Sequence, residues 1–521
     1  MVVKTTVKTG EYFDSVTLMT VAKRLNSEAG VLDSAVVMGT AENKAILKAS
    51  DLLVPALADA KDADLLIAVK AESEARAEEA LRKAERYLKD SRKASSPTGG
   101  TPRPRSLDAA VAALPGANMA LVSVAGRFAG ALAADCLERG LHVMLFSDNV
   151  PLETEVSLKR RAREKGLLVM GPDCGTAIVN GVPLAFANSV RRGGVGIVAA
   201  AGTGLQEVSC LLSNEGAGVS QALGTGGRDV KKEVGGITFI QALQALAEDP
   251  ETKVLLLVSK PPHPEVLKSI LDEVRKIEKP VVAVFLGGKP LQEAGLRSCL
   301  TLEEAALEAA ALAKGEDFED AAARLSQRES ELLKKASSGA GPKGAGRRFV
   351  RGLFSGGTFC SEAQVLLTPL LGPVRSNAPL EPSLKLKDSL RAEGHCVVDL
   401  GEDEFTVGRP HPMIDFSLRN KRILEEAADP QTAVILLDLV LGHGSNPRPL
   451  EDILPVLGRV LGTADSRPAV VCSVTGTDED PQCRRTVVEA LEKAGVLVAP
   501  TNASACRLAA ALALKKEEAH V

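Results

Sequence analysis

The apolar positions of the chain fall into short runs separated by stretches of helical period. Near the N-terminus, residues 2–7, 35–38 and 64–69 read as strands, the second ending at Gly39, and 15–26 and 72–88 read as helices, the latter highly charged. This spacing predicts a small α/β unit. Further along, the runs at 120–124, 142–146 and 167–170 are apolar nearly throughout, as strands covered on both faces are. Each is followed by a helical stretch, and such alternation predicts a parallel, doubly wound sheet.

Two segments break the pattern. Residues 91–105 and 336–346 are rich in Pro, Gly and Ser and are expected to be exposed linkers. They divide the chain into about 1–90, 106–335 and 348–521.

A repeat is the most informative feature. Ile197-Val-Ala-Ala-Ala-Gly202-Thr203-Gly-Leu-Gln-Glu207 aligns without gaps on Gly352-Leu-Phe-Ser-Gly-Gly357-Thr358-Phe-Cys-Ser-Glu362. Asp249-Pro250-Glu-Thr252 followed by Val254 matches Asp429-Pro430-Gln-Thr432 followed by Val434, and Lys279-Pro280 with its apolar run matches Arg467-Pro468. Three matches in one order imply two related flavodoxin-like domains, about 191–330 and 348–521.

Composition narrows the classes. The 521 residues are 45% hydrophobic and 25% charged, which excludes a disordered chain, and at roughly 100–200 residues per domain predicts three to five domains. Lys+Arg 63 against Asp+Glu 67 leaves a net charge of −4, and with Trp 0 and Tyr 2 there is neither a basic field nor a set of stacking rings for nucleic acid. The nine cysteines are scattered without a CxxC pair, which fits reduced thiols in a cytoplasm and no metal site. No stretch has the length of a membrane span or signal peptide, so no membrane partner is expected.

Candidate chemistry follows from the strand ends. In an open parallel sheet, ligands bind beyond the carboxyl ends of the strands, where helix N-termini present N–H groups. The turns Gly202-Thr203-Gly204 and Gly356-Gly357-Thr358 are such places, and two copies facing one another would cradle an anion; the alternative is that each Gly only closes a turn. Neither is a dinucleotide fingerprint or a Walker loop. Ser123, Gly126, Gly171, Pro172, Asp173 and Cys174 follow buried strands and would line a second cleft, with Cys174 read as a structural thiol. The densest polar cluster, Arg409-Pro-His411-Pro-Met-Ile-Asp415 with Arg419, could clamp a carboxylate and move a proton. His142 is expected in the core, and His443, in Gly442-His443-Gly444, could reach the cleft or sit in a turn, the turn being favoured.

These motifs carry a resemblance. The stretch from Phe146-Ser-Asp-Asn149 to Gly171-Pro172-Asp173-Cys174-Gly175 resembles the CoA-binding domain of succinyl-CoA synthetase α subunits; Ile197 to Gly204 resembles the start of their ligase domain, and 348–521 the β-subunit ligase domain. Asp14-Ser-Val-Thr-Leu-Met19, Ala162 to Thr176, Val258-Ser-Lys-Pro-Pro262 and Thr406-Val-Gly-Arg-Pro-His-Pro-Met-Ile-Asp415 resemble the FdrA family nearly end to end. The fold implied is α/β and multidomain: a small N-terminal α/β domain at 1–90, a Rossmann-like CoA-binding-type domain at 106–190, and two flavodoxin-like ligase-CoA-type domains at 191–330 and 348–521.

The departures are as telling. Synthetases carry a phosphoryl group on a His of a Gly-rich loop, here Gly287 to Cys299, yet no histidine occurs between His263 and His395, and Lys260 stands where the family has a supporting Glu. The resemblance therefore implies a subunit of an oxamate carbamoyltransferase, converting oxalurate and phosphate to oxamate and carbamoyl phosphate. In that reading Lys260, Arg409, His411 and Arg419 are catalytic, while Gly202, Thr203, Gly204, Gly356, Gly357 and Thr358 hold phosphate. The CoA-type cleft is kept only if CoA still binds, and the protein works as an oligomer with partner subunits in the cytoplasm. An NDP-forming acyl-CoA synthetase and a non-catalytic metabolite-binding scaffold are the alternatives.

Overall fold

The computed structural model describes residues 1–11, 13, 15–26, 28–40, 43–44, 47–48, 52–94, 104–337, 342, 346–406, 410–462 and 466–514. Most of both expected linkers, together with Arg409 and the tail holding His520, lies outside the described residues. The chain forms two compact units, Met1–Pro115 with Glu402–His411, and Gly116–Gly401 with Pro412–Val521.

In the first unit, strands β1 (Val2–Lys8), β2 (Val31–Met38) and β3 (Leu65–Ala71) form an antiparallel sheet in the order β1-β3-β2. The central strand, Leu-Leu-Ile-Ala-Val-Lys-Ala, is apolar almost throughout because both faces are covered. Helices Ser15–Asn26 and Glu74–Ala94 supply Val21, Leu25, Ala77, Ala80 and Leu88 to one face, and Leu47, Leu52 and Leu57 pack on the other.

The second unit contains three sheets. Strands β4 (Met119–Val122), β5 (His142–Leu145) and β6 (Val169–Met170) pair in parallel. The next sheet comprises β7 (Thr176–Val179), β8 (Val182–Ala185), β9 (Arg192–Ala199), β10 (Val219–Gly224), β11 (Val254–Ser259), β12 (Val281–Phe285) and β13 (Leu296–Cys299), ordered β13-β12-β11-β9-β10-β7-β8. The last has β14 (Phe349–Phe354), β15 (Val374–Ser376), β16 (His395–Asp399), β17 (Thr432–Val440), β18 (Ala469–Thr475) and β19 (Leu497–Ala499), ordered β15-β16-β14-β17-β18-β19. Apart from β7, β8 and β15, both sheets share one parallel order, second-first-third-fourth-fifth, the flavodoxin-like winding. The sequence repeat is thus a repeat of topology.

Two details differ from the sequence expectation. Residues 176–185, which the sequence expectation put in the CoA-binding-type domain, form β7 and β8, which pair antiparallel and join β10, completing the larger sheet. Residues 402–411 leave the C-terminal domain and cluster with the first unit. In both cases strand pairing and packing partners decide membership, which a linear pattern does not encode.

Four helices join the two flavodoxin-like sheets: Gly202–Asn214, Leu302–Lys314, Gly357–Leu371 and Asn502–Leu514. Their shared core includes Leu205, Val208, Ala305, Ala309, Phe359, Ala363, Ala505 and Ala509. The Ala-rich runs of the second and fourth helices let backbones approach closely, and helices apolar on most sides are the ones that become buried.

Candidate functional site

The Gly-Thr turns follow β9 and β14, the strands at which the order of each sheet reverses. They meet. A Cβ on Gly356 would lie 2.8 Å from Thr203 Cγ2, and one on Gly204 would lie 3.0 Å from Thr358 Cγ2. Each buried threonine therefore fits a space that only a glycine of the other turn leaves open. Both helix N-termini, with the positive ends of their dipoles, converge on one joint.

The two ends are not equivalent. Asp399 ends β16, and a Cβ on Gly357 would lie 2.5 Å from its Oδ2, so a carboxylate already sits at the second helix end. Strand register puts Ala199 opposite Gly224 and Phe354 opposite Asp399, so the counterpart of Asp399 in the first copy is Gly224. The end at Gly202 has no carboxylate near its own Cβ position; the atom nearest that position is Thr176 Oγ1, at 3.8 Å.

A second buried acid shapes the turn from below. Asp438, on β17, accepts the N–H of Ser355 at 2.8 Å and of Gly356 at 2.9 Å, and both its oxygens take the Ser355 hydroxyl at 3.0 Å. Arg419 holds Asp438 in turn, with Nη1 donating 2.6 Å to its carbonyl and lying 3.3 Å from its carboxylate, and the guanidinium stacking 4.2 Å over Phe416. Arg419 is fully buried. It does not reach a substrate carboxylate, contrary to the sequence expectation; it positions the acid that shapes the Gly356 turn.

The remaining expected residues divide. Lys260 is half-buried just past the carboxyl end of β11, beside Val258, which touches the space above Gly204, and its charge acts on Cys360 in the second helix. It belongs to the joint. Arg409 lies outside the described residues. His411 is half-buried, and loss of water around the ring pushes its imidazole down to about 4, so at neutral pH it carries no charge with which to clamp an anion. Asp415 is spent on the N–H of Ser417 at the start of the next helix.

In the CoA-type cleft, Ser123 and Asp173 are exposed, and Pro172 is buried. A Cβ on Gly126 would lie 2.2 Å from the Asp148 carbonyl, and one on Gly171 2.3 Å from that of Leu145, so both glycines admit close backbone approach. Cys174 points its thiol at the carbonyls of Thr176 and Gly224, and burial pushes it up to about 12: a structural thiol. His142 accepts the Leu168 N–H at 3.0 Å.

Three glutamates in the joint had no role assigned from sequence. Glu207 accepts the N–H of Asn502, and Glu362 the N–H of Leu302 at 2.9 Å, so each caps a helix of the opposite or adjoining copy. Asn502 Nδ2 also donates 2.8 Å to Glu362, and Glu303 takes the hydroxyl of Ser504. Burial raises Glu362 to about 7, helped by Glu207 and Glu303 nearby. The signal was present: Glu at matched positions of the repeat, and Asp438 inside an otherwise apolar strand.

Comparison with known proteins places this architecture. Residues 353–512 match a family model described as CoA-ligase, and residues 1–104 one described as AllF, heavy metal-associated domain. The uncharacterized protein YahF of Escherichia coli (strain K12) is 40% identical over 526 residues, covering 100% of both chains. Succinate–CoA ligase [ADP-forming] subunit alpha 1 of Archaeoglobus fulgidus is 30% identical over 212 residues, 39% of this chain and 71% of its own length.

The chain belongs to the succinyl-CoA synthetase-like family.

A dinucleotide forming acetyl-coenzyme A synthetase 1 from Ca. Korarchaeum cryptofilum superposes with a TM-score of 0.31 at 16% identity, covering 77% of this chain and 84% of that one; at that score the likeness carries no argument. The metal in the description of residues 1–104 finds poor ligands there: they contain neither Cys nor His, the thiolate and imidazole ligands soft metals favour, and of soft donors only the thioethers of Met1, Met19 and Met38. Among the described residues no helix is long and apolar enough to cross a membrane.

Proposed function

We propose that the protein catalyses the acyl-phosphate half of a ligase-type reaction, exchanging phosphate and a thiol on an acyl carbon, with phosphate held between the paired Gly-Thr turns. The observation that carries this reading is the threonine-to-glycine packing of Gly202-Thr203-Gly204 against Gly356-Gly357-Thr358 beyond the carboxyl ends of β9 and β14. N–H groups at the Gly202 helix end and the Lys260 ammonium stabilise the phosphate as it leaves and the oxyanion that develops. The thiol of CoA is the acceptor, entering from the three-stranded domain where Ser123 and Asp173 are exposed. The synthetase-like family and the CoA-ligase match support this choice.

A second reading has a specific observation in its favour. No histidine lies between His263 and His395, and Lys260 follows the strand where the family has an acid. A site without a phosphoryl carrier suits direct carbamoyl transfer, oxalurate plus phosphate to oxamate plus carbamoyl phosphate, with partner subunits. Both readings work on a bond between a phosphate oxygen and an acyl-type carbon: the ligase-type reaction breaks it as the thiol attacks, whereas the transferase forms it as the carbamoyl C–N bond of oxalurate breaks and oxamate leaves.

One pair of assays separates them. Purified with its co-expressed neighbours, the chain is given acetyl phosphate and CoA, or carbamoyl phosphate and oxamate. Thioester formation abolished by Lys260→Ala is expected for the ligase-type reading, and oxalurate formation for the transferase. If neither product forms and inorganic phosphate binds no more weakly to Thr203→Val than to the unaltered chain, the assignment of the paired turns fails.

A further inference from the structure

His443 and Ser189, 254 residues apart in the chain, stand together on the surface beyond the ends of β17 and β18. Ser189 Oγ and His443 Nε2 are 3.0 Å apart, within the reach that proton transfer needs, and His443 is exposed. The surrounding backbone is built to hold this pair. Gly442 and Gly444 flank the histidine at φ +110 and +78, a conformation that side-chain-bearing residues rarely adopt, and a Cβ on Gly442 would lie 2.6 Å from the Ala187 carbonyl. The His443 N–H donates 2.8 Å to that carbonyl. Gln482 clamps Gly442 on both sides, accepting its N–H and donating to its carbonyl, each at 3.0 Å.

Ser189 is pinned as firmly. Its N–H donates 2.8 Å to Asp480 Oδ1, and its carbonyl accepts the Thr477 hydroxyl at 2.6 Å. Asp480 is itself fixed by Asn188 Nδ2 and the Thr477 N–H, both at 2.8 Å, and lies close enough to His443 for an imidazolium charge to act on it. Ser445, two residues beyond His443, keeps a buried hydroxyl with no partner among the described residues.

A hydroxyl within hydrogen-bond reach of an imidazole, with a carboxylate beside them, is the arrangement of an activated nucleophile. We infer that Ser189 is an acylation site, with His443 as its base and an activated carboxylic acid derivative, a thioester or an acyl phosphate, as its substrate. In the tautomer this requires, with the ring proton on Nδ1, Nε2 takes the Ser189 hydroxyl proton as Oγ attacks the carbonyl carbon. The bond from that carbon to its leaving group breaks, and the leaving group departs with the proton from Nε2. Water or an acceptor then attacks the resulting ester, and its proton returns through Nε2 to Oγ. This site is separate from the phosphate joint, and its failure leaves that reading standing.

The test uses the full chain. A fluorophosphonate probe, which reports activated serines, is expected to modify Ser189, read by peptide mass spectrometry, and His443→Gln is expected to slow modification about 100-fold. Gln keeps a polar group at the same reach, and an unchanged urea midpoint together with unchanged phosphate binding separates loss of the base from loss of fold. Acetyl-CoA and acetyl phosphate are then supplied in parallel: acetyl on Ser189 from the first assigns a thioester donor, from the second an acyl phosphate. No probe on Ser189, a rate indifferent to His443→Gln, or no acetyl from either donor would overturn the inference.

Discussion

At the residue scale, single carboxylates set the character of the joint between the two repeats. Asp399 places a negative charge at the Gly357 helix end, where the first copy has Gly224. Asp399→Asn is therefore expected to raise affinity for inorganic phosphate about tenfold, roughly 1.4 kcal/mol, measured by titration calorimetry; a weaker or unchanged affinity would contradict the role given to that charge. Glu362 works through protonation. Its native value, about 7, lies above the ordinary 4.5, so the native state holds a proton that the unfolded chain has lost. Stability from this group is fully present below pH 4.5 and is lost as pH rises to about 7, on the order of 3 kcal/mol. Urea denaturation should show Glu362→Gln gaining on the unaltered chain between pH 5 and pH 8, and a constant difference would refute the linkage.

At the element scale, the helix Leu152–Glu164 is tied to the neighbouring sheet by a buried charge. Lys159, with no exposed surface, lies 2.9 Å from Glu155 and 2.7 Å from Asp229, and donates to the Thr225 carbonyl. Asp229 also caps the helix Ile237–Glu248 through the N–H groups of Thr238 and Phe239. Lys159→Met removes the only positive partner of Asp229 among the described ion pairs and is expected to cost about 3–5 kcal/mol, seen as a lower urea midpoint. The elements themselves were largely legible: apolar runs located β4, β5, β9, β11, β12, β14, β17 and β18, because a strand covered on both faces shows no alternation. The extra strands β7, β8 and β15 were not read, since each is three or four residues long and takes its place from its neighbour's unpaired edge.

At the scale of the whole molecule, the nine cysteines are free, and all but Cys483 are buried. Hydrogen bonding from Thr486 lowers the Cys483 thiol, whereas burial raises those of Cys174, Cys210, Cys360, Cys472 and Cys506. Titration of the native chain with a thiol reagent should therefore give one fast equivalent on Cys483, the rest reacting only on unfolding; fast reaction at Cys174 would show that its cleft opens.

The sequence by itself determined the repeat, the Gly-Thr turns, the buried strands and the want of a histidine between His263 and His395. These are local or periodic properties, and each residue's neighbours in the chain are enough to express them. Tertiary structure alone decided that Thr203 meets Gly356, that Asp399 and not a glycine guards one helix end, that Arg419 is a buried support rather than a clamp, and that His443 finds Ser189. A periodic pattern says which face of an element will be covered. It does not say which side chain, hundreds of residues away, will cover it.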